Sequence, residues 1–192
     1  TEQTIKLRKL LLDYEFLDSH ILHVYLLAAP DVLGVPSFVP LIKTHNKVVR
    51  RALRMKKLCN DVCDILVGRH VHPISAIVGG FTKLPTPKDL DDMLAMLRSM
   101  KDDMEETLAV AKTLQFPDFY RETEYVALVS DDDEYPLLMG DIGSTDGKRF
   151  NKKDYKKATN EYIDPRSSAK FAKLSRDSYM VGALARFNLN HD

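Results

Sequence analysis

The sequence has no net charge, few cysteines and no long apolar run, and each absence excludes a class of protein. Its 28 basic residues balance its 28 acidic residues, so no electrostatic argument favours nucleic acid or a membrane surface as a partner. No stretch approaches the roughly 20 uncharged apolar residues of a membrane-spanning helix. The opening segment, TEQTIKLRKL, has the pattern of neither a signal peptide nor a transit peptide. A hydrophobic content of 44% is sufficient for one domain with a core.

The two cysteines, Cys59 and Cys63, lie in KKLCNDVCDIL, and a spacing of four residues places both on one face of a helix. A disulfide at this spacing would strain its geometry, so reduced thiols in a cytoplasmic protein are expected. The pair could bind a metal, but the pattern has no further cysteine or well-placed histidine. We therefore interpret both cysteines as small buried hydrophobic residues.

Common catalytic motifs are also absent. The sequence has no phosphate-binding loop, dinucleotide fingerprint, H-E-x-x-H zinc motif, paired C-x-x-C or nucleophile elbow. Gly79 and Gly80 neither follow a strand nor open a helix, and we interpret them as a place of close backbone approach or positive φ. Residue patterns alone therefore assign no reaction.

Apolar spacing predicts a mainly α fold: a long-helix bundle with a small β-hairpin insertion. Helices are predicted over about 3–28, 44–67 and 87–115, the first ending at Pro30 and the second at Gly68. The apolar end of the first helix, ILHVYLLAA, is expected to be deeply buried. The methionine- and leucine-rich stripe of the third helix is interpreted as core rather than as a groove for a partner.

Between and after the helices, glycine, proline and acidic turn residues predict loops and a hairpin. Residues 68–87 are rich in Gly and Pro yet apolar, which predicts an ordered loop packed on something else. The runs YVALVS and YPLLMGDIGS predict a β-hairpin around Asp131–Glu134, a solvated acidic turn rather than a cation site. A short basic helix, NKKDYKKATNEYI, and a closing helix follow. We predict one structural domain in three parts: the bundle (1–116), the insertion (117–150), and C-terminal helices (151–192) that pack back on the bundle.

Three segments contain candidate catalytic or metal-binding residues. In DSHILHVYLLAAPD, His20 and His23 can face one neighbour, but a metal would need a third ligand, so we interpret them as partly buried structural histidines. Asp31 follows an apolar helix end, where a buried carboxylate requires a cation or donors. In GRHVHPISAIVGG, extended backbone would point His70 and His72 to opposite sides. The third segment, SYMVGALARFN, places three polar side chains in a small apolar stretch: Tyr179, Arg186 and Asn188.

The same three segments resemble the large subunit of nickel-iron hydrogenases, particularly its cytoplasmic multimeric branch, which includes sulfhydrogenases. DSHILHVYLLAAPDVLG is similar to the family's S-H-x-x-H-x-Y helix with a following P-D or L-D. GRHVHPISAIVGGFTKLP is similar to G-[RK]-x-x-H-P-x(5)-G-G, the most specific match. SAKFAKLSRDSYMVGALARFNLN is similar to the segment ending Y-x-V-G-[AP]-L-A-R-x-N. All three occur in the family's order, so the resemblance covers nearly the whole chain.

The resemblance implies an oxidoreductase that cleaves dihydrogen at a nickel-iron centre and passes electrons to an iron–sulfur small subunit. In that family four thiolates from R-x-C-G-x-C and D-P-C-x-x-C motifs hold the metal, and this sequence contains neither motif. Cys59 and Cys63 have the wrong spacing and lie in the wrong segment. We therefore expect an interior fragment with no cofactor of its own, inactive alone, the nickel-iron centre belonging only to the intact subunit.

The resemblance implies only supporting roles for residues of this chain. Asp31 falls where the family has a carboxylate in the canopy over the metal centre, paired with an arginine of a later segment. Arg69 and His72 fall near the proximal iron–sulfur cluster of the small subunit. His20 and His23 would line a proton path near the site. Groups of this kind orient ligands and set local pKa values in an intact enzyme.

Two other interpretations remain open. A complete small protein on this scaffold could serve as a metal-free structural or assembly module. A metal-binding four-helix protein could instead use His20, His23, Cys59 and Cys63. A fragment would expose the apolar faces that met the rest of its subunit, so self-association is also expected.

Overall fold

The computed structural model describes residues 1–131, 135–158 and 160–191, and within them the chain is mainly α, as predicted. Helices make up 51% and strands 14%. The chain forms two compact units, Thr1–Asp118 and Phe119–Asp192, and this boundary lies two residues from the predicted end of the bundle. Across the described ranges, no helix combines the length and apolarity needed to cross a membrane.

The first unit is mainly helical and contains one short hairpin. Its helices are α1 (Glu2–Leu22), α2 (Ala29–Val32), α3 (Leu41–Thr44), α4 (Asn46–Val67), α5 (Pro87–Ser99) and α6 (Lys101–Ala111). The hairpin pairs β1 (Ala76–Ile77) antiparallel with β2 (Gly80–Phe81).

The first helix does not end at Pro30, which corrects the prediction. After α1, a π-helical turn, His23–Ala28, leads directly into α2, where Pro30 is buried. The N–H of Ala29 bonds to the carbonyl of Val24, five residues back. Because α-helical bonding starts again at Ala29, Pro30 falls in a first turn, where its missing N–H needs no partner.

The apolar end of this first helix is less buried than predicted. Ile21 and Tyr25 are 5% and 6% exposed, but Val24 and Leu27 are 42% and 54% exposed. Only one face of the helix meets the rest of the first unit, so a continuous apolar run leaves its other face uncovered.

Helix α4 forms the centre of the first unit and packs along α1. It ends at Val67, and Gly68 follows in the left-handed conformation with φ 79°, which confirms the predicted stop. Cys59 and Cys63 are buried free thiols, as interpreted from their spacing. The buried core consists of Leu7, Tyr14, Ile21, Tyr25, Ala52, Met55, Cys59, Val62, Cys63, Leu66, Val67, Met93 and Met100.

The predicted third helix is two helices, α5 and α6, divided at Met100. Helix α5 begins as predicted, with Pro87 in its first turn and a capping box between Thr86 and Asp89. Met100 is buried, but Leu97 and Leu108 are 44% and 58% exposed. The apolar stripe is therefore core only in part.

The loop at 68–87 is ordered around the β1–β2 hairpin, and Gly79 has the positive φ expected of it, 89°. Phe81 packs against the core and Ser75 is buried. Val78, by contrast, is fully exposed, and Ile74 is 60% exposed. The packing predicted for this apolar loop therefore holds only for part of it.

The second unit is built on a four-stranded sheet. Its strands are β3 (Glu124–Val129), β4 (Asp141–Ser144), β5 (Arg149–Phe150) and β8 (Tyr179–Met180), and their order across the sheet is β5–β4–β3–β8. β3 pairs antiparallel with β4 and parallel with β8. Of the predicted acidic turn, Asp131 pairs with Arg149, and 132–134 lie outside the described residues.

Residues 151–192 differ from the prediction of C-terminal helices. A 3-10 turn (Lys152–Asp154) and α7 (Tyr155–Ala158) are helical, but NEYI forms a strand, β6 (Asn160–Ile163), antiparallel to β7 (Lys170–Lys173). The rings of Tyr162 and Phe171 pack across these strands, 5.8 Å apart, a pairing that favours a strand over a helix.

The closing helix is confirmed as α8 (Ala183–Leu189), which packs on β3. Through α8 and β8, residues after 150 join the sheet of the second unit. The packing of 151–192 against the helix bundle stays a prediction.

Candidate functional site

The two histidines of the first helix are exposed, not partly buried as predicted. His20 lies in the last turn of α1, with its ring edge-on to Phe16 at 5.9 Å. His23 opens the π-helical turn. Both are exposed, whereas the two cysteines are buried, and no group of three or more His, Cys, Asp or Glu side chains among the described residues is arranged to hold a metal.

Asp31 is exposed in α2. Its carbonyl accepts the N–H of Gly34 at 3.1 Å, where the chain turns away from the helix. Because the carboxylate lies in solvent, the cation or donors expected for a buried Asp31 are not required in this structure.

Arg69 and His72 lie together in the exposed loop after α4. Arg69 Nε donates to the carbonyl of Val71 at 2.7 Å. His72 has φ 55°, a left-handed conformation that non-glycine residues seldom adopt. The start of the loop is fixed by Asp64, whose carboxylate accepts the N–H of His70 at 2.7 Å and lies 2.8 Å from its Nδ1.

A cavity of about 220 Å³ lies in the first unit beside the π-helical turn. Most of its fifteen lining residues are apolar; the polar ones are Tyr25, His45, Thr107 and Thr113. Among the described residues, the lining includes none of the five predicted site residues: His20, His23, Asp31, Arg69 and His72. Val24 and Ala29, from the segment that contains His23 and Asp31, do line the cavity. A π-helical turn often marks a functional position in a helix.

One wall of this cavity contains a chain of hydrogen bonds. The hydroxyl of Thr107 donates to the carbonyl of Asp103 at 2.5 Å and also bonds to the hydroxyl of Tyr25. Since Thr107 has a single hydroxyl proton, Tyr25 is the donor to Thr107. Tyr25 is only 6% exposed, so its hydroxyl is fixed by this bond.

Next to this wall, four charged side chains join α4 to α6. Arg54 Nε donates to Asp103 at 2.8 Å, and hydrogen bonding to this carboxylate raises the pKa of Arg54. Arg51 pairs with Glu106 and lies 4.0 Å from Asp103. Its buried Nη1 has no hydrogen-bond partner among the described residues. In the sequence, this cluster corresponds to the basic first half of α4 and the acidic run DDMEE. These two stretches are far apart along the chain, so no local spacing indicates that they pair.

The two thiols of α4, Cys59 and Cys63, are unreactive at neutral pH. Burial, followed by the nearby carboxylates, raises the pKa of both Cys59 and Cys63 to about 12. Both therefore remain protonated at neutral pH, whereas metal binding and nucleophilic attack need the thiolate.

In the second unit, a buried carboxylate organises the sheet. Glu124 is fully buried and accepts hydrogen bonds from the Ser144 hydroxyl and from the N–H groups of Ser175 and Arg176. Burial raises the pKa of Glu124, but the hydrogen bonds together lower it by more, so the pKa lies below its ordinary value. Arg176 also pairs with Asp146 at 2.9 Å. This cluster joins three separate segments, and no local pattern predicted it.

The third predicted segment contributes to the sheet and to a local contact. Tyr179 lies opposite Glu124 in the β3–β8 pair. Arg186 Nε donates to the hydroxyl of Tyr135 at 3.1 Å, and its guanidinium lies 5.6 Å from that ring. The Asn188 amide donates to the carbonyl of Leu184 within α8. These contacts are structural.

Comparison with known proteins gives consistent relatives. No family model matches the chain. It is 31% identical over all 192 residues to the alpha subunit of sulfhydrogenase 1 from Pyrococcus furiosus, covering 45% of that protein. It is 29% identical to one of the subunits of the F420-non-reducing hydrogenase vhu from Methanocaldococcus jannaschii, over 98% of this chain and 50% of that one. The chain thus spans about half the length of these curated relatives.

A solved structure shows the same fold. The crystal structure of an NAD+-reducing [NiFe]-hydrogenase in the H2-reduced state matches with a TM-score of 0.84. The match covers 96% of this chain and 47% of that one, at 24% identity.

Proposed function

Because this chain is homologous over its whole length to hydrogenase large (alpha) subunits, we propose that it is the interior part of the large subunit of a nickel-iron hydrogenase. The observation that supports this is the match over all 192 residues to the sulfhydrogenase protein. The intact enzyme would oxidise dihydrogen or reduce protons. The proposal includes a cytoplasmic location, in keeping with the two free cysteines.

The chain's own residues do not fit a nickel-iron centre. The resemblance implies four thiolates, whereas the sequence has two cysteines, and both are protonated core residues with a pKa of about 12. Soft thiolate ligands are what such a centre requires. We therefore propose that this chain alone holds no nickel and does not turn over dihydrogen.

Metal analysis of the purified chain tests this directly. We expect far less than one nickel per chain and no dihydrogen-dependent reduction of a redox dye. Stoichiometric nickel that disappears in the Cys59→Ala, Cys63→Ala double variant would overturn the proposal. Nickel that remains in this variant would show another site and would also overturn it.

The alternative is a metal-free structural or assembly module derived from the same scaffold. It is supported by one observation: the first unit has an apolar core of its own, which includes both cysteines, and its own α4–α6 ion pairs. The coding sequence that flanks this chain in its gene distinguishes the large-subunit proposal from the module. Codons for R-x-C-G-x-C just upstream of Thr1 support the large subunit, and a start codon in that place supports the module.

The proposed partner is the iron–sulfur small subunit, contacted by the loop that contains Arg69 and His72. This proposal is supported by the exposure of the loop's apolar side chains, Val78 above all. We expect Val78→Asp to weaken association with the small subunit in the intact protein, measured by co-purification. Leu53→Asp, at a 52% exposed position on α4, is the matched control. Equal association of both variants would count against the loop as the contact.

The supporting roles of Asp31, His20 and His23 also belong to the proposal. All three are exposed in this chain, so each is available to the remainder of the large subunit. In the intact enzyme, Asp31→Asn should lower dihydrogen turnover without loss of nickel, and His23→Gln should change its pH profile. A proton path through His23 would be wrong if the profile did not move.

Self-association of this chain is the last element of the proposal. Several large apolar side chains of the first unit are exposed, including Leu94, Leu97 and Leu108. We expect a larger apparent mass on size-exclusion chromatography as concentration rises. A monomer at all concentrations would contradict it.

A further inference from the structure

We propose that the cavity beside the π-helical turn binds a neutral aromatic molecule of one ring that carries a hydrogen-bond donor, as phenols do. The cavity lies wholly within the first unit, and the inference does not depend on the hydrogenase proposal.

The size of the cavity sets the size of the ligand. Its volume is about 220 Å³, and an engineered apolar cavity of about 150 Å³ in another protein binds benzene. The space exists because three elements each place an alanine at its wall: Ala29 from α2, Ala52 from α4 and Ala111 from α6. A single ring with a small substituent fits this volume.

The lining excludes a charged ligand. It contains no Lys, Arg, Asp or Glu, and burying an unpaired charge among apolar side chains is strongly unfavourable. His45, the one imidazole in the lining, is exposed, and its Nδ1 lies 2.8 Å from the Thr44 hydroxyl. An apolar, neutral molecule is therefore preferred.

The hydrogen-bond chain at the wall decides which polar group the ligand carries. The Thr107 hydroxyl donates a hydrogen bond to the backbone carbonyl of Asp103, and the Tyr25 hydroxyl donates one to Thr107. The Tyr25 oxygen then has a free lone pair but no proton to offer. The complementary group on a ligand is a donor, such as a phenolic O–H, and an ether oxygen finds no partner there.

Titration of the full-length protein with toluene, anisole and phenol, followed by amide chemical shifts, tests both the binding of a single ring and the preference for a hydrogen-bond donor. All three should bind and perturb amides of the π-helical turn and α6. Phenol should bind about fivefold more tightly than anisole, the effect of one net hydrogen bond. No binding of any probe up to its solubility limit would overturn the proposal.

Variants separate the cavity from the donor site. Ala111→Leu should fill the cavity and weaken all three probes at least tenfold, whereas Ala109→Leu, at an exposed position of the same helix, should leave them unchanged. The Tyr25→Phe, Thr107→Val double variant removes both oxygens, so phenol should lose its preference while toluene still binds and reports an intact cavity. Undiminished toluene binding in Ala111→Leu would overturn the site, and an unchanged phenol preference in the double variant would overturn the donor assignment.

Discussion

The two compact units of this chain are stabilised by different forces. The first buries a continuous set of apolar side chains around α4. In the second, within the described ranges, the buried hydrophobic residues are only Ala158 and Ala185, and the largest buried side chain is the carboxylate of Glu124. Apolar burial depends little on pH, whereas a hydrogen-bonded carboxylate depends on its ionisation. The units should therefore respond differently to truncation and to acid.

The largest effect is expected from truncation in the first unit. Leu66 is 2% exposed in the core, and Leu66→Ala should lower the free energy of unfolding by about 3–4 kcal/mol through lost burial and a cavity. Leu53→Ala, on the same helix but 52% exposed, should change it by less than about 1 kcal/mol. Urea denaturation followed by circular dichroism measures both. Similar losses at the two positions would mean that α4 is not the centre of the core.

A second large effect is expected from the ion-pair cluster that joins α4 to α6. Asp103→Asn leaves Arg51, whose side chain is 9% exposed, without this nearby carboxylate. Arg51 keeps its pair with Glu106, and the other partner of Asp103, Arg54, is largely exposed. We therefore expect a loss of about 2 kcal/mol, in the range for hydrogen bonds to a charged group. Asp102→Asn, one residue earlier and exposed, is the matched control in the same denaturation experiment. Equal stability of both variants would refute the cluster's contribution.

A smaller effect is expected at Glu124 in the second unit. Glu124→Gln keeps the shape but places an amide NH2 where an oxygen now accepts N–H or O–H groups. We expect a loss of about 1–2 kcal/mol, seen as faster hydrogen exchange of β3 amides. Glu161→Gln, at an exposed position in β6, should leave β3 unchanged. Unaltered exchange in Glu124→Gln would show that the carboxylate does not hold the sheet.

The smallest effect is the pH dependence that follows from the same carboxylate. Hydrogen bonds from Ser144, Ser175 and Arg176 outweigh burial and hold the pKa of Glu124 below its ordinary value. A lowered folded-state pKa means that the stabilisation is complete above the unfolded pKa, about 4.3, and is lost as the pH falls below it. Exchange of β3 amides should accelerate over that acid range in the native chain. The acceleration should be reduced in Glu124→Gln, and an identical acid response would assign it to another group.

The fold was predictable where its signals are local. The end of α4 at Gly68, the start of α5 at Pro87 and the burial of Cys59 and Cys63 each depend on a few neighbouring residues. The continuation of the first helix past Pro30 was not predicted, because a π-helical turn changes the hydrogen-bonding register without a distinctive residue pattern. NEYI was assigned to a helix because its strand character depends on pairing with β7, which begins seven residues after β6 ends.

The candidate site was predictable only as segments. The sequence identified the stretch around Asp31 and the loop of Arg69 and His72, but burial was wrong for His20 and His23. The cavity depends on a contact between Tyr25 and Thr107, 82 residues apart. No periodicity in either helix indicates such a pair.

The sequence by itself determined the mainly α class, the end of α4 at Gly68, the absence of a four-thiolate motif and the resemblance to hydrogenase large subunits. These depend on residue identity and local spacing, which the chain carries in any conformation. Only the tertiary structure decided that the predicted histidines are exposed, that Glu124 is a buried hydrogen-bond acceptor, and that a cavity lies beside the π-helical turn. Burial, pKa and cavities arise from side chains distant in sequence, and packing alone brings those side chains together.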